Sequence, residues 1–207
     1  MTRILYLQNS LFGEDGQSSR MARTFIDGYR QRHPDTEVVT RDLVADGVPH
    51  LDLARAGALR GFSESLDDNQ KAVLAHSDAL VQELRDADLV VIGMPMYNFG
   101  APTQFKAWID HIARAGVTFK YTETGPVGLI DDKPVRVFAA HGGVHAGQPY
   151  ETTTAFVKQI FGFMGVQDVR FVYAEGLNIS DEVKRQALAR ADAEIAAELT
   201  ALETAEA

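Results

Sequence analysis

The chain of 207 residues contains no cysteine. That excludes disulfides, thiolate nucleophiles and zinc–thiolate sites, and it suits a reducing compartment. Basic side chains are also scarce: 20 Lys and Arg stand against 29 Asp and Glu, a formal net charge of −9. No Lys/Arg cluster makes a positive face, so neither a nucleic acid nor an anionic membrane is an expected partner. No apolar run approaches the roughly 20 residues that span a bilayer. The opening Met1 to Gln8 turns polar too soon for a signal peptide, and the expected location is cytoplasmic. There is no H-E-x-x-H and no nucleophile elbow. His141 and His145 stand four apart, but in a glycine-rich loop without a third ligand, so no metal is expected. His111, beside Asp110, reads as a solvated side chain on the polar side of its helix. Asp67-Asp68 and Asp131-Asp132 read as a helix start and a turn. No acid–base pair stands out, which agrees with a cofactor doing the chemistry.

What the chain does have is an alternation of apolar strands and amphipathic helices. Strands are expected at 4–7, 37–40, 89–92, 135–139 and 169–174. Helices are expected at 18–32, 69–85, 102–115, 150–163 and 180–202. Gly116 would stop the third helix, and Ser180 would cap the last. Residues 46–66, with Gly47, Gly57 and Gly61, read as short helical or irregular pieces. Residues 117–132 read as an excursion, with strand alternation over 117–122 and a turn at Gly125-Pro126. The tail after Leu202 is expected to fray. Continuous apolar strands between helices imply a parallel sheet covered on both faces. The fold class is therefore α/β: a flavodoxin-like, doubly wound, five-stranded parallel sheet of order 2-1-3-4-5, one domain over 1–207.

Three loops follow strands and would lie on one edge of that sheet, where ligands of open α/β folds bind. The loop from Gln8 to Ser19 is rich in Gly and Ser and leads into a helix N-terminus. It can hold an anion through backbone N–H groups and hydroxyls without a lysine, and none is there. It lacks the Gly-Lys-Ser/Thr ending of a nucleotide P-loop and is not G-x-G-x-x-G. The loop Gly93-Met94-Pro95-Met96-Tyr97-Asn98-Phe99-Gly100 is apolar with a single amide, which suits a flat ring such as a flavin. The loop Ala140-His141-Gly142-Gly143-Val144-His145 carries two adjacent glycines that let backbone approach such a ring closely.

The blocks Met94 to Phe99, Ala113-Arg114-Ala115-Gly116-Val117-Thr118-Phe119-Lys120-Tyr121-Thr122-Glu123 and Gly142-Gly143 resemble those of the FMN-dependent NADH azoreductases. These are flavodoxin-fold NADH:quinone reductases. The resemblance runs over nearly the whole chain, with little match over 45–66. It implies a homodimer with one FMN per subunit and active sites at the subunit interface. It also implies that Ser10, Gly16, Gln17 and Ser18 hold the FMN phosphate. Pro95, Met96, Tyr97, Asn98 and Phe99 would line the isoalloxazine, and Ala140, His141, Gly142 and Gly143 its pyrimidine side. Tyr121 and Phe163 would wall the substrate pocket, against the partner subunit's flavin. The chain has Gly16 where the family often has Ser, and Ala140 and His141 where many members have Ser and Arg. A neutral His favours an anionic reduced flavin less than an Arg does. The implied reaction takes a hydride from NADH, or NADPH, through flavin N5 to a quinone or azo compound, in ping-pong order. The alternative is a flavodoxin-type electron carrier without NADH oxidation. It would have no use for the aromatic excursion at 119–121.

Overall fold

The computed structural model describes residues 1–61 and 65–206. In chain order the elements are β1 (Arg3–Gln8), α1 (Gln17–Arg32), β2 (Glu37–Asp42), α2 (Leu53–Arg60), α3 (Asp68–Asp86), β3 (Leu89–Pro95), α4 (Thr103–Ile112), β4 (Phe119–Thr122), β5 (Gly125–Gly128), β6 (Val135–Ala140), α5 (Thr153–Met164), β7 (Val169–Ala174) and α6 (Asp181–Glu206). The main sheet runs β2-β1-β3-β6-β7, with every neighbouring pair parallel. Counting its strands alone, that is the expected order 2-1-3-4-5. The chain steps outward from β1 to β2, then crosses back to β3. The order therefore reverses between β1 and β3, and a crevice opens beyond their carboxyl ends.

Side-chain alternation sorts the core into two layers. Leu5, Leu7, Val90, Ile92 and Val137 pack against α3, α4 and α5. Ile4, Tyr6, Leu89, Val91 and Phe138 pack against α1 and α6. β3 is buried along its whole length, as a central parallel strand requires. Asp67 starts α3 as expected. Its carboxylate accepts from Gln70 N (2.8 Å), and Gln70 Oε1 accepts from Asp67 N (3.0 Å), a reciprocal capping box. The far end of α3 is closed by a distant side chain. Lys133 Nζ donates to the carbonyls of Leu84 (2.9 Å), Arg85 (3.0 Å) and Ala87. Burial pushes this ammonium below its ordinary pKa, against the upward pull of Asp131, Asp88 and Asp86. The helix dipole and three orphan carbonyls offset that cost.

Several sequence expectations need correcting. Residues 53–60, inside the stretch read as short helical or irregular pieces, settle that choice as the helix α2, started by Asp52, which accepts from Arg55 N at 2.8 Å. Residues 62–64 of that stretch lie outside the described residues. The segment before α2 also covers α4, so His111 is fully buried instead of solvated. Its Nε2–H donates to Pro49 O at 3.0 Å. Burial pushes the imidazole below its ordinary pKa of 6.5, despite the opposing pull of the Pro49 carbonyl. α4 ends at Ile112 with Ala113 as its cap, so Gly116 is not the stop. The buried Thr118 hydroxyl closes the helix instead, donating to Ile112 O (2.7 Å) and accepting from Arg114 N (3.0 Å). That use of Thr118 delays the strand to Phe119, where β4 pairs antiparallel with β5. α5 begins at Thr153 because residues 145–151 are spent in turns. α6 continues past Leu202 to Glu206. Among the described residues, no helix is long and apolar enough to cross a membrane.

Candidate functional site

The loops leaving β1, β3 and β6 meet at the crevice. One cleft of about 160 Å³ is lined by Ser10, Gly16, Gln17, Ser18, Pro95, Met96, Tyr97, Ala140 and Gly142, with Phe12, Leu177, Asn178 and Lys184. A second hollow of about 320 Å³ shares Met96, Gly142 and Asn178 with it and adds Asn98, Phe99, Gly143 and His145. Residues far apart in sequence are thus brought to one place, and they divide chemically. One end is polar and the other is apolar and aromatic.

The polar end is the start of α1. Its N-cap is Gly16, which offers no side-chain acceptor, and the first turn carries no acidic residue. The leading N–H groups of a helix have no intrahelical partners, and here no side chain takes them. The Ser18 hydroxyl is buried and unpartnered, as is Gln17 Oε1. Buried polar atoms without partners are costly, so an oriented set facing a cleft fits a polar ligand. Orphan N–H groups, a positive helix end and a free hydroxyl fit a phosphate. Gly93 makes the arrangement compact: a Cβ there would lie 3.3 Å from Ser18 O, so the first turn of α1 rests directly on β3.

The apolar end is a tight reversal. Tyr97 and Gly100 exchange both backbone hydrogen bonds at 3.1 Å, and the two residues between them, Asn98 (φ 50°) and Phe99 (φ 63°), are left-handed. Asn tolerates that region; Phe does so only under strain. The turn holds Phe99 63% exposed, its ring edge-on to His145 (5.6 Å) and Tyr150 (6.1 Å). Tyr97 joins the two ends, its hydroxyl accepting from Leu11 N at 3.0 Å.

The third loop is clamped from β7. The Glu175 carboxylate accepts from His145 N (2.6 Å), Ala146 N (2.7 Å) and His141 Nδ1 (2.9 Å). Burial pushes this carboxyl up, but the two backbone donors and His141 outweigh it and hold it below the usual carboxylate range. His141 is placed differently from its neighbours Ala140, Gly142 and Gly143. It lines neither hollow, and its ring is buried against Glu175.

Tyr121 and Phe163 lie apart from the cleft. Tyr121 is 73% exposed on the β4–β5 hairpin. It borders a different hollow of about 760 Å³ with Phe119, Arg114 and Leu74. Phe163, on α5, is half-buried, its ring 4.4 Å from that of Phe119, which in turn meets Tyr121 at 5.5 Å. Sequence reasoning missed Glu175, Asn178 and Lys184. Glu175 and Asn178 come from the β7–α6 connection and Lys184 from the first turn of α6, and neither segment shows a glycine run or an apolar loop. The Gln8–Ser19 loop has no lysine of its own, but Lys184 of α6 lines the cleft beside it.

A family model described as flavodoxin-like fold matches residues 2–199. A protein of Alcanivorax borkumensis named FMN-dependent NADH:quinone oxidoreductase is 49% identical over 194 residues, covering 94% of this chain and 98% of its own. One of the same name from Cellvibrio japonicus is 47% identical over 201 residues, covering 97% and 100%. Among solved structures, an azoreductase from Bacillus anthracis superposes with a TM-score of 0.87 at 29% identity, covering 96% of this chain and 99% of its own. An FMN-dependent NADH-azoreductase of the same species in complex with FMN gives 0.82 at 26% identity, covering 96% and 100%.

Proposed function

The chain belongs to the flavodoxin-like fold family, together with the FMN-dependent NADH:quinone oxidoreductases, and from that premise we propose that it takes electrons from NADH, or NADPH, and passes them through FMN to quinones and azo compounds. One observation carries this reading: the uncapped start of α1, with its buried and unpartnered Ser18 hydroxyl, opens into the same crevice as the apolar loop 96–99. A phosphate suits one end and a flat ring the other. The names of the relatives support the same cofactor and electron donor.

The chemistry FMN supplies when bound is two-electron hydride transfer at its N5, with donor and acceptor using one face in turn. The protein's part is placement. The first N–H groups of α1 and the Ser18 hydroxyl bind the phosphate. Tyr97 fixes the phosphate loop by accepting from Leu11 N. Met96 to Phe99 keep water from the ring face. Glu175 holds the Gly142-Gly143 backbone against the ring's pyrimidine side, with His141 as its support. Leu11, Phe12, Phe99, Val144 and Tyr150 are exposed apolar side chains on the loops around the crevice. A second copy of the chain would cover them. In that homodimer, Tyr121 and Phe163 wall the acceptor pocket over the partner subunit's FMN. The proposed location is cytoplasmic, with the chain acting as one flavodoxin-like unit.

The test is the visible spectrum of the purified protein, followed by anaerobic NADH. Flavin bands that bleach with NADH and return on adding a quinone support the oxidoreductase. Bands that stay through NADH and NADPH mark an electron carrier. Absence of flavin after incubation with FMN removes the cofactor from the argument.

A further inference from the structure

Resting on the FMN reading above, we propose that Lys184 is a phosphate-binding residue of this site, the cation that neutralises the FMN phosphomonoester. Lys184 stands in the first turn of α6, where its N–H donates to Ser180 O at 2.9 Å. Its side chain is half-buried and lines the same cleft as Ser10, Gly16, Gln17 and Ser18. Among the described residues that line this cleft it is the one charged side chain. Arg23 pairs with Glu14 (3.9 Å) and Arg185 with Glu182, and Arg20, exposed on α1, does not line the cleft. No carboxylate pairs with Lys184 among the described residues.

The surroundings explain why a cation is needed. Glu14 and Asp15 sit in the loop before α1, and Asp181 and Glu182 open α6. The chain as a whole carries −9. A dianionic phosphate brought here meets like charge on both sides, which costs affinity unless a positive group stands in the cleft. The hydroxyls alone are few. Position 16 has no side chain, and a Cβ there would lie 2.1 Å from Ser10 Oγ, so it cannot add a donor without displacing Ser10. Ser10 Oγ already accepts from Phe12 N at 3.2 Å. The Ser10 and Ser18 hydroxyls and the Gln17 and Asn178 amides are neutral donors lining the cleft, beside the Lys184 ammonium. The ammonium alone adds charge.

Riboflavin carries the same ring as FMN without the phosphate, and it separates this role from a structural one. Flavin-stripped full-length protein is titrated with FMN and with riboflavin, reading flavin fluorescence. Lys184→Gln should weaken FMN roughly 10-fold, the scale of one charge-assisted hydrogen bond, and leave riboflavin unchanged. Lys184→Arg should recover most of the loss. The wild-type preference for FMN over riboflavin should shrink as salt is added. The assignment is overturned if Lys184→Gln keeps full FMN affinity, or if it loses riboflavin as much as FMN. A wild-type protein that binds neither flavin overturns the FMN reading itself, and Lys184 with it. A wild-type protein that binds FMN while Lys184→Gln is silent overturns Lys184 alone.

Discussion

Phe99 allows a test in which the sign of the effect, and not only its size, carries the argument. The residue sits at φ 63° next to Asn98 at φ 50°. A non-glycine residue in the left-handed region costs about 1–2 kcal/mol. The ring recovers little of this through burial, since it is 63% exposed with only edge contacts to His145 and Tyr150. Phe99→Ala and Phe99→Gly both remove the ring, so they differ only in backbone. In an ordinary loop Gly is the less stable of the two by about 0.4–1 kcal/mol, because it loses more freedom on folding. Here relief of the strain outweighs that term, and Phe99→Gly should be the more stable by about 0.5–1 kcal/mol. For a chain of this size that is about 2 °C in Tm. The measurement belongs on flavin-free protein, since a bound ligand adds its own stabilisation. If Phe99→Ala proves equal or more stable, the turn is not held in the left-handed region and the strain argument fails. If the order is as stated, the wild-type ring is kept at a cost to folding. Both variants should then lose quinone turnover to a similar degree, because both lack the ring that shields the flavin site.

Three further outcomes follow from the clamps and caps. Glu175→Ala removes the one oxygen, Oε1, that accepts from His145 N, Ala146 N and His141 Nδ1, so the 141–146 loop loosens; FMN affinity should fall several-fold by fluorescence titration while Tm moves by a few degrees at most. Lys133→Met leaves the carbonyls of Leu84, Arg85 and Ala87 without their donor and should destabilise by about 2–3 kcal/mol, read as a lower denaturation midpoint with an unchanged m-value. His111 has a folded pKa below its ordinary 6.5. Its contribution is complete above that pH and is lost as pH falls through the folded value. Wild-type stability should therefore decline from about pH 6.5 downward, and in His111→Gln this part of the slope should vanish; an unchanged slope in the variant assigns the loss to other groups.

The site was legible in the sequence where local composition betrays its use. Met96 to Phe99 is too apolar for a surface turn, and Gly142-Gly143 too permissive for a plain connection, so each points to a close-fitting flat ligand from sequence alone. The sheet was legible for a similar reason: strands such as 89–92, apolar at every position, have few places to go except the middle of a parallel sheet. What stayed hidden depends on groups that meet only after folding. Nothing near His111 in sequence foretells that Pro49 will cover it, and Thr118 looks like a strand residue until its hydroxyl is seen closing α4. Glu175, in the β7–α6 connection, and Lys184, in the first turn of α6, are single charged residues in ordinary-looking sequence. They gain meaning from the crevice to which β7 and α6 deliver them. The strain at Asn98-Phe99 was equally invisible, because φ is set by the hydrogen bonds between Tyr97 and Gly100. A Gly at position 99 would have announced the turn, and the Phe conceals it. That concealment is informative. A turn that would fold more easily with glycine, yet presents an exposed aromatic ring at the edge of a cleft, points to a surface shaped for a ligand rather than for the fold.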